Sequence, residues 1–203
     1  KRQEIPPYLI VLEPENPGEF YAMAEKHGLR QIMRWTGMSL KKDEYYSEAS
    51  NPFSPSIIRV RDETSLKDWL QVVNTALYSS NSLVNTLLEK LYLKDSFKLY
   101  IGYADGEPVS TSLSFQENSV AGLYMIATLE NHRNKGYGTL LTRCAIERCF
   151  DSKAETIILH ASAMGEKVYR KIGFREYCRF GILWMVGKSF RKLPSDSSAS
   201  ATR

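Results

Sequence analysis

Between Phe97 and Leu129 the chain carries three apolar runs, FKLYIGYA, EPVSTSLSFQ and SVAGLYMIATL, separated by two short polar turns. Turns that short leave no room for a helix, so the three runs are expected to pair as neighbouring antiparallel strands. The first turn is Asp105-Gly106, a pair that tolerates the positive φ of a tight hairpin. The pattern then changes. GYGTLLTRCAIERCF reads as a helix, AETIILHAS as a buried strand, GEKVYRKIG as a short helix and FREYCRFGILWMV as one or two closing strands. Upstream, SIIRVRD reads as a strand and SLVNTLLEKLYL as a helix. Between them, TSLKDWLQVVNTALY opens on a polar start containing Thr64 and Asp68, with Leu66, Trp69, Leu70, Val73 and Leu77 on one helical face. The order from residue 56 is β-α-α-β-β-β-α-β-α-β, antiparallel hairpins followed by a βαβ unit. An α/β class with a mixed α+β sheet is the expected fold.

The first fifty residues repeat part of this logic. YLIVLEP is a strand ended by proline, and PGEFYAMAEKHG has helix start and stop signals at its two ends. LRQIMRWTGMSL alternates as a strand does. A charged stretch rich in serine and proline, KKDEYYSEASNPFSPS, then suggests a boundary, giving a βαβ segment with linker over 1–55 and a main domain over 56–190. KLPSDSSASATR is poor in hydrophobic residues, and a disordered tail is expected over 191–203.

Composition excludes more than it identifies. The 203 residues are 43% hydrophobic and 25% charged, an ordinary globular balance. No apolar stretch nears the ~20 residues of a membrane span, and the opening KRQEIPP lacks the apolar region of a signal peptide. The net charge of +4 is mild and scattered, which argues against nucleic acid as a partner while suiting an anionic ligand. Cys144, Cys149 and Cys178 have no metal-ligand spacing, so no metal site, no disulfide framework and a reducing cytoplasmic setting are expected.

The stretch HRNKGYGTLL, residues 132–141, places basic residues and two glycines directly before a helix. A helix N-terminus offers free N–H groups and a favourable dipole, so an anionic phosphate is the natural ligand. A dinucleotide fingerprint would need glycine where Leu141 stands. A Walker A loop would need lysine between Gly138 and Thr139. What remains is Arg133-x-x-Gly136-x-Gly138, between a strand and a helix.

That pattern resembles the pyrophosphate loop of the GNAT superfamily of N-acyltransferases. VYRKIGF, residues 168–174, is similar to the family's second signature, a tyrosine on a short helix before a Gly-Phe, and the strand order from residue 56 matches as well. The resemblance implies an acetyl-CoA-dependent N-acetyltransferase that moves an acetyl group to a primary amine by direct attack in a ternary complex. The other reading is a catalytically degenerate domain that binds acyl-CoA as a sensor or scaffold. It implies that Arg133, Asn134, Lys135, Gly136, Tyr137, Gly138 and Thr139 wrap the coenzyme A pyrophosphate, with both glycines admitting its oxygens where a Cβ would obstruct them. Ile126, Ala127 and Thr128 would pair with the pantetheine arm as an added strand. Ser162 stands where many members have an asparagine near the coenzyme, and a plain strand-end hydroxyl is the other reading.

Tyr169 matches the tyrosine that donates a proton to the leaving thiolate. The general base is open. Where some members have a glutamate on the preceding strand, Gly122 falls, and the candidates are Tyr124 and His160. His160 lies in an apolar run, where a hydrogen-bonded core histidine is the competing assignment. The family's usual proline after the pantetheine strand is Glu130. The β-α-β order of the first forty residues, with Gly18-Glu19 echoing Gly165-Glu166 and Gly28-Leu29 echoing Gly173-Phe174, suggests a degenerate half-domain repeat, or chance similarity. Expected partners are acetyl-CoA and an amine acceptor, without nucleic acid or membrane, and with a homodimer as a candidate assembly.

Overall fold

The computed structural model of the chain describes residues 8–47, 56–77 and 88–185. Contacts divide the described residues into two compact units, one within 35–179 and one of 8–34 with 180–185. The division falls inside two strands, Leu29–Lys41 and Arg175–Met185. The expected tail over 191–203 and the first half of the 82–93 helix lie outside the described residues, while residues 88–91 are helical.

In the larger unit the three runs pair as their short turns require. Strands β4 (Phe97–Ala104), β5 (Glu107–Glu117) and β6 (Val120–Thr128) form an antiparallel meander. Asp105 and Gly106 both have positive φ, 52° and 84°, as the mirror-image hairpin turn demands. Strand β3 (Ser56–Arg59) adds antiparallel to β4. On the other side β7 (Thr156–Ala161) lies parallel to β6, and the end of β2 (Leu29–Lys41) pairs antiparallel with β7 from Thr36↔Ala161 to Lys41↔Thr156. The mixed sheet expected from the sequence is therefore present.

Helices cover both faces of that sheet. Helix α2 (Glu63–Leu77) buries Leu66, Trp69, Leu70 and Val73 against Leu99, Ile101 and Leu113. Its start is set earlier than the expected Thr64–Asp68 start. The Asp62 carboxylate accepts the Ser65 amide at 2.8 Å and caps the first turn. Leu77 departs from the expected buried stripe and is 46% exposed. On the opposite face, helices α3 (Tyr137–Asp151) and α4 (Ala163–Ile172) enclose a second cluster with Met38, Leu40, Leu123, Ile157 and Leu159. Cys149 is buried beneath α3, and burial pushes the Cys144 and Cys149 thiols up, so both act as small apolar groups. No helix among the described residues is long and apolar enough to cross a membrane.

In the smaller unit β1 (Tyr8–Leu12) pairs antiparallel with Phe180–Trp184 of β8 (Arg175–Met185). The Glu13 carboxylate, only 6% exposed, accepts from Tyr21 Oη at 2.6 Å, Arg34 Nε at 2.6 Å and Gln31 Nε2 at 3.2 Å. Burial alone would raise its pKa, but these donors hold it below the usual carboxylate range. Helix α1 (Pro17–Lys26) and α4 are both ten residues long, but Gly173 at φ 115° is the C-cap of α4, whereas α1 ends on His27 and Gly28 at φ 77° comes one position later. The two βαβ stretches share their order and helix length and differ in how the helices are capped.

Trp69 has no exposed surface, and its indole Nε1 donates to the Ser112 carbonyl at 3.2 Å. Trp69→Phe removes that donor and part of the packed volume, so denaturant unfolding should show a loss of about 1–3 kcal/mol.

Candidate active site

Strands β6 and β7 run in parallel register only from Val120↔Thr156 to Leu123↔Leu159. The next irregularity is local to β6. Met125 takes a left-handed φ of 48°, and the register with β5 shifts between Thr111 and Leu113. A β-branched or bulky residue would resist this geometry, whereas the flexible Met side chain packs away against the α2 cluster. The bulge re-aims the strand. Beyond it, Ala127 and Thr128 still pair with Thr111 and Ser110 of β5, while no pairing with β7 continues. Among the described residues, one edge of Ile126–Thr128 thereby has no strand partner.

The chain leaves β6 through a 3-10 turn at Glu130–His132, which takes the place of the proline that the family resemblance led one to expect. Arg133 Nε donates back to the Thr128 carbonyl at 3.3 Å, holding the loop to the strand end. Asn134 and Gly136 then adopt positive φ, 61° and 89°. Alternation of this kind turns successive amides toward one side and makes an anion-binding concavity. Helix α3 follows with Gly136 as its N-cap and no side-chain cap, and its first backbone bond is Leu140 N–H to Gly136 O at 3.0 Å. No capping side chain meets the first turn of α3, whose opening N–H groups have no partner within the helix.

Ser162 caps α4, its Oγ accepting from the Gly165 amide at 3.2 Å. Two turns on, the Tyr169 ring is packed against Phe174 at 5.9 Å between centroids and is 8% exposed. Burial raises its phenol pKa to about 12. The ring lies over Gly165, where a Cβ would stand 2.9 Å from Tyr169 Cε2.

A cleft of about 260 Å³ gathers Ile126, Ala127, Thr128, Arg133, Asn134, Gly136, Tyr137, Gly138, Thr139, Ser162 and Tyr169. These are the residues picked out from the sequence, with three exceptions. Lys135 is exposed and does not line the cleft. Tyr124 and His160 lie outside it, on the sheet face opposite the α3 cluster. The reading of His160 as a core residue is overturned, because it is exposed and stacks on Trp35 at 6.0 Å with an 11° interplanar angle. Burial of one side of the imidazole lowers its pKa from the ordinary 6.5.

The sequence reading missed Ala76, Leu77, His132, Thr142, Met164, Gly165 and Val168, which also line the cleft. For Leu77 the signal was its place at the end of the α2 stripe, where no strand remains to cover it. His132 Nδ1 is buried without a hydrogen-bond partner. Thr142 Oγ1 donates to the Gly138 carbonyl at 2.7 Å, bracing the first turn of α3.

A sequence model described as the acetyltransferase (GNAT) family matches residues 63–174. Among solved structures, a GCN5-related N-acetyltransferase from Kribbella flavida aligns with a TM-score of 0.67 at 19% identity, covering 89% of this chain and 68% of its own. One from Sphaerobacter thermophilus gives 0.66 at 16% identity, covering 87% and 58%. A structure described as a GNAT-family acetyltransferase from Novosphingobium aromaticivorans gives 0.58 at 15%, covering 89% and 74%. At these identities the likeness is one of fold. No curated protein matches the chain.

Gly165→Ala sets a methyl against the Tyr169 ring and should cost about 1–3 kcal/mol in thermal or denaturant unfolding. Near-ultraviolet circular dichroism should register the displaced ring.

Proposed function

Because the chain belongs to the GNAT acetyltransferase family, we propose that it transfers the acetyl group of acetyl-CoA to a primary amine by direct attack in a ternary complex. The observation that carries this reading is the single cleft in which an uncapped helix N-terminus, a left-handed loop and a buried phenol meet. The amides of Gly136, Gly138 and Thr139, with the Arg133 guanidinium, would hold the pyrophosphate. Charge-assisted bonds of this kind contribute roughly 1.5–3 kcal/mol each. The free edge of Ile126–Thr128 would take the pantetheine amides as an added strand and lead the thioester toward Tyr169.

The amine lone pair attacks the thioester carbonyl, the tetrahedral adduct collapses, and the C–S bond breaks with the electron pair leaving on sulfur. Tyr169 stays neutral throughout the physiological range, since its pKa stands near 12. Passing its proton outright to a thiolate of ordinary pKa, about 8.5, would run uphill by roughly 5 kcal/mol. The hydroxyl therefore donates a hydrogen bond to the developing thiolate, and full transfer follows only as the dry cleft raises the thiol's own pKa. His160 is the base that takes the amine proton. Its lowered pKa keeps the imidazole neutral and receptive at pH 7.

One observation favours the non-catalytic alternative, a domain that binds acyl-CoA without turnover. Strand β6 holds no carboxylate, and Gly122 stands where a glutamate would serve as base. Steady-state release of free thiol with an amine panel separates the two readings.

Gly138 has room for a methyl in the free protein, where a Cβ would meet only Thr128 Oγ1 at 3.5 Å. Gly138→Ala should therefore leave the melting temperature nearly unchanged while raising the Kd for acetyl-CoA about tenfold or more, by calorimetry. Equal affinity in a well-folded variant would remove the loop assignment.

Tyr169→Phe should lower kcat more than it raises KM for acetyl-CoA. Full activity would pass the donor role to water.

His160 must be unprotonated to act, so kcat/KM should fall as pH drops through a pKa below the ordinary 6.5. His160→Gln should abolish that acid limb.

A further inference from the structure

Beside the cleft, the sheet presents a partly exposed aromatic face. Ala121, Leu123, Ile157, Leu159 and Ala161 point into the buried cluster, so Gly122, Tyr124, Ile158 and His160 point the other way. Gly37 of β2 lies opposite His160, and Trp35 stacks on the imidazole. A Cβ on Gly122 would run into the Tyr124 ring and hydroxyl, so that ring lies down along its own strand. Tyr124 is 36% exposed and Ile158 41%. The outward positions from Val120 to Tyr124, from Ile158 to His160 and from Trp35 to Ser39 include no Asp, Glu, Lys or Arg.

This face reaches the cleft where β6 and β7 part. Tyr124 precedes the cleft residue Ile126 by two positions and His160 precedes Ser162 by two, about 7 Å along a strand. Ala76 and Leu77 of α2, which packs on the same side of the sheet as Tyr124, line the cleft as well. A thioester held in the cleft has α3 and α4 on its other side, so a nucleophile arrives from the aromatic face.

We infer that this face is the acceptor site and that it selects an amine carried on an aromatic body, its ring stacked on the Trp35–His160 pair, over polyamines and basic peptides. The inference rests on the acetyl-transfer reading. Flat aromatic surfaces reward a flat aromatic ligand with area and offset stacking. A polycation would have to leave water for strand positions that carry no carboxylate to pair with it.

The test is calorimetric titration of 2-phenylethylamine, spermidine and a lysine-rich peptide into the full chain saturated with coenzyme A. The aromatic amine should bind about tenfold tighter than either polycation. Trp35→Ala should weaken it by a similar factor while Trp35→Phe retains most of the affinity, and coenzyme A binding should stay the same in both. Tighter binding of a polycation, no binding of 2-phenylethylamine, or equal affinity in Trp35→Ala overturns the inference. If Trp35→Ala does not fold, the wild-type ranking decides alone. Thiol release with the same amines is scored separately. Binding without release keeps this site and overturns the transferase reading.

Discussion

The geometry of the cleft depends on how closely α3 lies on the sheet. Leu141 has no exposed surface, and it presses on Gly102, where a Cβ would stand 2.9 Å from Leu141 Cδ2 and 2.7 Å from Ser110 Oγ. Ser110, Ser112 and Ser114, all buried, continue the row of small side chains under the helix. Larger residues there would lift α3 and carry its first amides away from Thr128. The close seating has an energetic cost. The hydroxyls of Ser110 and Ser112 are buried without partners, and unsatisfied groups of this kind typically cost about 1–3 kcal/mol. The sheet gives up stability at the place that positions the turn proposed to hold the pyrophosphate.

Much of this was legible in the chain because short turns and helix periodicity act locally. The hairpin at Asp105-Gly106 and the loop from Arg133 to Thr139 rest on backbone requirements that glycine, or a residue tolerant of left-handed φ, must meet. Which face of a strand is covered is not a local property. TIILHA reads as one apolar run, yet Ile158 and His160 point outward because, among the described residues, no helix is placed over that part of β7. The same reason exposes Leu77, whose stripe on α2 outlasts the strands beneath it. Met125 could not be foreseen, since its left-handed conformation follows from a register shift against β5 and not from any preference of methionine.

The two residues proposed for proton handling sit in opposite surroundings. Tyr169 is sealed among the apolar side chains of α4 and β7, which keeps its proton on. His160 lies at an open surface, with only partial burial to keep its proton off. Environment assigns such roles more reliably than residue type does. It also separates them spatially, with the proposed donor on the α3–α4 side of the sheet and the proposed acceptor on the other, so that the strand opening between β6 and β7 is a short path joining them.

Ser162 has a consequence of its own. Its oxygen is engaged by the Gly165 amide, but the hydroxyl proton remains available to an acceptor in the cleft. A hydroxyl that donates becomes a better acceptor, so occupancy of the cleft would tighten the cap of α4. Tyr169 rides two turns along that helix. Under the proposed function, the coenzyme would thereby stiffen the element bearing the proposed donor, and the fraying of that helix end would report whether the substrate has arrived.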